Sequence, residues 1–216
     1  AYHSGDYEEI AWILAQLRAR HPGPVIAAGV SLGGNALLRW AAEAGSDASS
    51  HVKAVAAICS PLDLAAGGHA IGRGFNRQIY TRMFLRTMIP KALRKWEQHP
   101  GLFDRDALLA ARDLYAFDNV FTAPVHGFRN TEDYWHRASS KPLLSHIRVP
   151  ALVVNALNDP FVPASSLPRA GEVGPCVTLW QPRHGGHVGF AQGPWPGHVR
   201  AMPDAVSAWL TAQLPG

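Results

Sequence analysis

The sequence has little cysteine, no long apolar run and only a small net charge. Cys59 and Cys176 are its two cysteines, which excludes a disulfide scaffold and leaves too few thiols for a structural zinc site. No run approaches the roughly 18 to 20 apolar residues of a membrane span, and the polar, acidic N-terminus is unlike a signal peptide. We therefore expect buried thiols in a reducing compartment and a cytoplasmic protein.

The charge balance and composition narrow the class of protein further. The 216 residues carry a formal net charge of +4, without the basic stripe and interleaved aromatics of nucleic-acid-binding domains, so we expect no nucleic-acid partner. At 47% hydrophobic and 17% charged residues, the chain can bury a core. We expect one domain with an inserted subdomain.

The order of apolar runs and helical patterns predicts an α/β fold with a mostly parallel sheet. Residues 66–140 differ, because they have helical periodicity, many arginines and aromatics, and no buried strand. We interpret them as a helical cap inserted into a core of residues 1–65 and 141–216. The predicted strands lie at 25–28, 52–58, 151–154 and 177–180, and the predicted core helices at 6–20, 32–43 and 203–214.

A Gly-x-Ser-x-Gly motif, Gly29 to Gly33, lies at the first strand-to-helix junction. A sharp turn there forces the serine into a strained backbone and lets strand and helix approach only if Gly29 and Gly33 lack side chains. The hydroxyl of Ser31 would project above the sheet as a nucleophile. The backbone N–H of Leu32 would then face a developing oxyanion.

A serine nucleophile needs a base, and the base needs an acid that orients it. In chain order after Ser31, Asp159 follows the third predicted strand and His187 follows the fourth, which are the expected places for the acid and the base. Asp63 is the alternative acid. His184 is the rival base, and His184 with His187 could form a metal pair, but no third ligand lies near in sequence. We therefore expect neither a metal nor a cofactor.

Several segments together resemble the alpha/beta hydrolases of the YheT type, which are related to the mammalian ABHD1/ABHD3-type enzymes. The resemblance implies the alpha/beta-hydrolase fold and hydrolysis of esters, with Ser31 as nucleophile, Asp159 as acid and His187 as base. The segments that carry it are Tyr2-His3-Ser4-Gly5, Gly29-Val30-Ser31-Leu32-Gly33-Gly34-Asn35, Ser60-Pro61-Leu62-Asp63-Leu64, Ala123-Pro124-Val125-His126-Gly127-Phe128, Asn155-Ala156-Leu157-Asn158-Asp159-Pro160-Phe161 and His184-Gly185-Gly186-His187-Val188-Gly189-Phe190.

The sequence departs from this family before the motif. The family has several strands and a His-Gly loop there, but only thirty residues precede Ser31, and the chain begins without methionine. We expect a piece of a longer chain, with strand 25–28 at an exposed edge through which it could oligomerise. The oxyanion hole would keep only the Leu32 donor, and losing one donor lowers the rate by about 10² to 10³. The piece alone should be weakly active or inactive.

The predicted cap carries a concentrated positive charge. Residues 73–95 contain seven basic residues and no acidic one, with Phe75, Ile79, Met83 and Phe84 between them at roughly helical spacing. This pattern predicts either a solvated helix face or a lid that contacts anionic lipid or an acidic substrate group.

Three functions remain open. The first is hydrolysis of a small-molecule or lipid carboxylic ester through an acyl-enzyme. The second is acyl transfer on the same residues, and the third is a truncated, non-catalytic binding module. The triad residues favour an enzyme, whereas the short region before Ser31 favours the binding module.

Overall fold

The protein, described here from a computed structural model, contains a four-stranded parallel sheet. The structure describes residues 2–214. The strands lie side by side in chain order, β1 (Ile26–Val30), β2 (Ala54–Ile58), β3 (Ala151–Val154) and β4 (Val177–Trp180). The predicted fold class is confirmed, and the four predicted strands all exist within two residues of their expected ends.

The helices divide between two compact units, which comprise residues 2–63 with 138 onward and residues 64–137. The first, which we call the sheet unit, contains the strands and the helices α1 (Tyr7–Arg20), α2 (Leu32–Ala44), α3 (Ala48–His51) and α11 (Ala201–Thr211). The second, the helical unit, contains α4 (Leu64–Ile71), α5 (Gly74–Asn76), α6 (Arg82–Gln98), α7 (Arg105–Ala110), α8 (Leu114–Phe117), α9 (Ala123–Val125) and the body of α10 (Thr131–Ala138). That this unit is a lid inserted at residues 66–140 stays a prediction.

The two central strands, β2 and β3, are buried on both faces because they carry apolar side chains without alternation. All five residues of β2 are buried. Val55 and Ala57 pack in the cluster that contains Leu38 of α2, whereas Ala56 and Ile58 pack in the cluster with Val206 of α11. Because all three strand pairs are parallel, the carboxyl ends of the four strands lie at one edge of the sheet.

The helical unit has its own core around Leu85, Phe103, Leu108 and Phe117. It also contains two π-helical segments, Arg77–Thr81 and Asp118–Thr122, which the sequence did not indicate. Short 3₁₀ turns in the sheet unit lie at Gly45–Asp47, Lys141–His146, Ala164–Ser166 and Ala170–Glu172. None of the described helices combines the length and the apolarity that crossing a bilayer requires.

Candidate active site

The turn between β1 and α2 holds Ser31 in a strained conformation. Ser31 has φ 51° and ψ −123°, a region that residues with a side chain rarely adopt. Its N–H donates to the carbonyl of Ile58 on the neighbouring strand at 2.8 Å, and its own carbonyl accepts from Gly34 at 3.0 Å. The strain expected of a nucleophile elbow is therefore confirmed.

The tight packing behind this turn involves Gly29 and Gly34. A Cβ on Gly29 would lie 2.5 Å from the carbonyl oxygen of Gly33, and one on Gly34 would lie 2.8 Å from the carbonyl oxygen of Gly29. A Cβ on Gly33 would meet nothing within 4 Å. The expectation that Gly33 must lack a side chain is therefore wrong. The residue of α2 that packs against β1 is Gly34, one position later than the Gly-x-Ser-x-Gly motif indicates.

Leu32 begins α2 and presents the predicted oxyanion donor. Its N–H is in the first turn of the helix, where no intrahelical acceptor exists. No acceptor among residues 2–214 takes this hydrogen. The donor is thus available to an anion at the positive end of α2.

Asp159 and His187 form a short hydrogen bond in the sheet unit. Asp159 follows β3 and His187 follows β4, and Nδ1 of His187 lies 2.8 Å from Oδ2 of Asp159. The Asp159 side chain is fully buried, whereas 17% of the His187 side chain is exposed. Because an ionised carboxylate only accepts hydrogen bonds, it pairs with the Nδ1–H form of the imidazole.

Neighbouring groups fix both members of this pair. The N–H of Phe161 donates to the second carboxylate oxygen of Asp159 at 2.8 Å. The Phe161 ring packs on the imidazole of His187, with ring centroids 4.6 Å apart. These contacts hold the carboxylate and the imidazole in place.

The structure joins two of the three predicted triad residues by a hydrogen bond. The hydroxyl of Ser31 is not hydrogen-bonded to His187 or to any other residue of the part of the chain that is described. Catalytic hydrogen bonds are often long in structures without substrate. The partner of His187 is Asp159 rather than the alternative acid Asp63.

One further side chain, the thiol of Cys59, lies beside the pair. Ligand atoms of Cys59, Asp159 and His187 all lie within 4.8 Å of one another. Among residues 2–214, this is the one group of three such side chains close enough to hold a metal ion, and it does not include the exposed His184. Sequence reasoning missed Cys59 because nothing in its neighbourhood distinguishes it from a buried core residue.

Asn158 and Asn35 are two more residues whose roles the sequence did not indicate. The side-chain oxygen of Asn158 accepts the N–H groups of Gly185 and Gly186, both at 2.9 Å. The fully buried Asn35 on α2 donates to the carbonyls of Ser4 and Ala138 at 2.7 and 2.8 Å. One signal was present in the sequence, since both asparagines lie within the segments that carry the family resemblance.

The sequence is similar to a known fold family and to two types of known protein. The family model of the alpha/beta hydrolase fold matches residues 1–194. YheT of Escherichia coli strain K12, a candidate esterase by its name, is 33% identical over 99% of this chain and 63% of its own length. The mouse phospholipase ABHD3 is 30% identical over 99% of this chain and 52% of its own length. The chain thus spans between half and two thirds of these relatives.

The fold is also similar to those of solved structures. A monoacylglycerol lipase from Paleococcus ferrophilus superposes with a TM-score of 0.54 at 17% identity, covering 98% of this chain and 76% of that protein. Mouse alpha/beta hydrolase domain-containing protein 10 superposes with a TM-score of 0.51 at 16% identity, covering 95% of this chain and 68% of that protein. The chain belongs to the alpha/beta hydrolase family and is of the YheT and ABHD3 type.

Proposed function

We propose that this protein is a serine hydrolase that cleaves carboxylic esters through Ser31, His187 and Asp159. The observation that carries the proposal is the 2.8 Å hydrogen bond between His187 and the buried Asp159, beyond the strand ends where Ser31 occupies a strained turn. The names of the relatives, an esterase and a phospholipase, support an ester of a small molecule or a lipid as substrate.

The reaction follows from the proton positions. Nε2 of His187 takes the proton of Ser31 as Oγ attacks the ester carbonyl, and the N–H of Leu32 stabilises the oxyanion. The imidazolium then gives that proton to the leaving alcohol, which produces an acyl-enzyme. Water attacks the acyl group with His187 again as base, and releases the acid and free Ser31. Asp159 holds the Nδ1–H tautomer throughout.

A panel of chromogenic esters of increasing acyl length, assayed on the full-length protein, tests this function. We expect Ser31→Ala to lower kcat by about 10³ or more, since removing the nucleophile leaves only binding and oxyanion stabilisation. Ser207→Ala, on the exposed face of α11, is the matched control and should retain wild-type kcat. Wild-type turnover by the Ser31→Ala variant would refute the proposal.

Acyl transfer and ligand binding without catalysis are the two alternatives. An added alcohol or thiol acceptor that diverts most of the acyl group into a new ester or thioester would favour transfer. Binding of an ester without turnover, and without reaction of Ser31 with a fluorophosphonate, would favour the binding module. The Nδ1–H tautomer of His187 held by Asp159 favours catalysis, because a binding module has no need of a base.

We propose that the helical unit makes peripheral contact with anionic lipid surfaces. Phe75, Ile79 and Met83 are exposed, by 72%, 45% and 50%. A cavity of about 540 Å³ beside them is lined by four arginines, Arg77, Arg82, Arg86 and Arg112, and by no acidic residue. Exposed apolar side chains among unneutralised arginines suit an anionic membrane surface.

Vesicle binding tests this contact. Replacing Arg77, Arg82 and Arg86 by glutamine should weaken binding to phosphatidylglycerol vesicles about 100-fold at low salt, because each cation contributes about 1 kcal/mol near an anionic surface. Phosphatidylcholine vesicles should bind weakly to both proteins. Unchanged binding of the triple variant to phosphatidylglycerol vesicles would instead support a solvated helix face.

We propose further that the protein is cytoplasmic and that β1 can pair with a second copy. Among the described residues, β1 pairs with β2 alone, and Val30 is 48% exposed. An unpaired strand edge is a template for another strand, and a lysine on such an edge opposes pairing. Sedimentation should therefore show less self-association for Ala28→Lys than for the wild-type protein. Equal self-association would refute pairing through this edge.

A further inference from the structure

The loop that carries His187 is strained on its C-terminal side. Val188 has φ 70° and Phe190 has φ 45°. A β-branched residue such as valine very rarely adopts a positive φ. A backbone conformation of this kind persists only where surrounding contacts hold it, so the side-chain partners of this loop decide where the imidazole points.

Cys59, directly after β2, makes two contacts with the loop, one on each side of His187. Its sulfur accepts the N–H of Val188, with 3.3 Å between nitrogen and Sγ. Its Sγ also lies 4.0 Å from the carbonyl oxygen of Gly186, at the outer limit for a hydrogen bond from sulfur. The thiol thus bridges the two residues that flank the imidazole, while Asn158 holds the amide groups of Gly185 and Gly186.

The position of Cys59 is itself unusual. Its side chain is fully buried and its φ is 51°, the same value as that of Ser31 at the end of the adjacent strand. Two neighbouring strands therefore end in strained residues. One presents the proposed nucleophile, and the other presents a sulfur atom that lies within 4.8 Å of ligand atoms of Asp159 and His187.

The thiol is suited to hydrogen bonding and not to nucleophilic attack. Burial, with a smaller contribution from the negative charge of Asp159, raises the pKa of Cys59 to about 11. The reactive form of cysteine is the thiolate, which this environment disfavours at neutral pH. A neutral thiol can accept the Val188 N–H and donate its own hydrogen to Gly186.

We propose that Cys59 is a positioning residue for His187. Its sulfur holds the Gly186–Val188 backbone in place, as a clamp, and so orients the imidazole, with Nδ1 on Asp159 and Nε2 toward the proposed nucleophile. This inference rests on the proposed role of His187 as base. The clamp acts on the strained loop from the β2 side, and neither Cys59 nor Val188 touches the substrate in this scheme.

Three cysteine variants of the full-length protein test the clamp. Cys59→Ala removes the acceptor of the Val188 N–H, Cys59→Ser keeps an acceptor and a donor, and Cys176→Ala replaces the other, half-buried thiol as the control. We expect Cys59→Ala to lower kcat by about 10- to 100-fold with KM changed less than about 2-fold, because misplacing a catalytic group by about 1 Å can cost about 10² in rate. Cys59→Ser should recover most of kcat, and Cys176→Ala should retain it.

Proton NMR supplies a readout that does not depend on turnover. The hydrogen between Nδ1 of His187 and Asp159 should give a downfield resonance in the wild-type protein. This resonance should broaden or vanish in Cys59→Ala and return in Cys59→Ser. If wild-type protein hydrolyses no ester, the proposed function fails, but the resonance still tests whether Cys59 holds the imidazole.

Two results would overturn the inference. The first is a Cys59→Ala variant that melts earlier but keeps wild-type kcat and the downfield resonance well below its melting temperature, which would make Cys59 a packing residue only. The second is a Cys59→Ser variant as impaired as Cys59→Ala in both readouts, since hydrogen bonding would then not be the property that matters.

Discussion

Two aspartates, Asp159 of the sheet unit and Asp118 of the helical unit, have different kinds of hydrogen-bond partners. In the sheet unit, Asp159 accepts from the imidazole of His187 and from the N–H of Phe161. In the helical unit, Asp118 accepts from the hydroxyl of Thr122 at 2.6 Å and from the indole of Trp135 at 2.9 Å, both neutral donors. Burial raises the pKa of Asp118 to about 6.

The comparison separates a carboxylate that binds an imidazole from one that joins helical segments. An aspartate beside an imidazole can stabilise a positive charge that appears during a reaction. At Asp118 the hydrogen bonds from Thr122 and Trp135 lower the pKa, but burial outweighs them and disfavours the charged form. The strained non-glycine residues follow the same division, since Ser31, Cys59, Val188 and Phe190, the four found among the described residues, all lie in the sheet unit.

The largest expected effect comes from changing Asp159. Asp159→Asn keeps the size of the side chain but can present an amide N–H group to Nδ1, which favours the wrong imidazole tautomer. We expect kcat to fall by about 10⁴. Kinetics with a chromogenic ester measure this change. The matched Asp118→Asn variant should keep kcat within about 2-fold at a temperature where it is folded, and an equal loss in both variants would erase the distinction between the two carboxylates.

Two glycine substitutions in the sheet unit test the packing behind Ser31. Gly34→Ala would place a Cβ 2.8 Å from the backbone oxygen of Gly29, and a backbone atom cannot easily move away. We therefore expect the free energy of unfolding to fall by about 3 kcal/mol or more. Gly33→Ala meets nothing within 4 Å and should gain up to about 1 kcal/mol, because alanine is the better helix former. Urea denaturation measures the free energy of unfolding of both variants. Equal values would contradict the packing described behind Ser31.

The smallest expected effect is a pH dependence that belongs to Asp118. Its folded-state pKa of about 6 is above the ordinary value of 3.8, so the folded protein binds this proton more tightly than the unfolded chain. The stabilisation is complete below about pH 4 and is lost as the pH rises through 6, by about 2 to 3 kcal/mol. The difference in unfolding free energy between wild type and Asp118→Asn, measured from pH 4.5 to 7.5, should follow this curve. A difference in unfolding free energy that does not change with pH would contradict this prediction.

Local patterns predicted the sheet well. The apolar run at 151–154 coincides with β3, because a strand buried on both faces needs an uninterrupted apolar sequence. The strand predicted at 177–180 is β4. The expected helix over 32–43 is α2, and Gly45, which follows its last residue, has the positive φ typical of a helix end. Chain order and strand ends pointed to Asp159 and His187, which the structure joins by a hydrogen bond, and their roles as acid and base stay a prediction.

Features that depend on contacts distant in sequence could not be predicted. Cys59 acts on residues nearly 130 positions away, and no spacing rule reports such a contact. Gly34 rather than Gly33 meets the strand, which depends on the helix rotation at the turn. The π-helical segments of the helical unit likewise had no signal in the sequence.

The most direct test of the central claim is to treat the full-length protein with a fluorophosphonate and map the adduct by mass spectrometry. The account predicts one phosphonylated residue, Ser31, and about 10³-fold slower labelling when His187 is replaced by alanine, because the hydroxyl loses its base. An adduct on another residue, or labelling of Ser31 that is equally fast without His187, would contradict it.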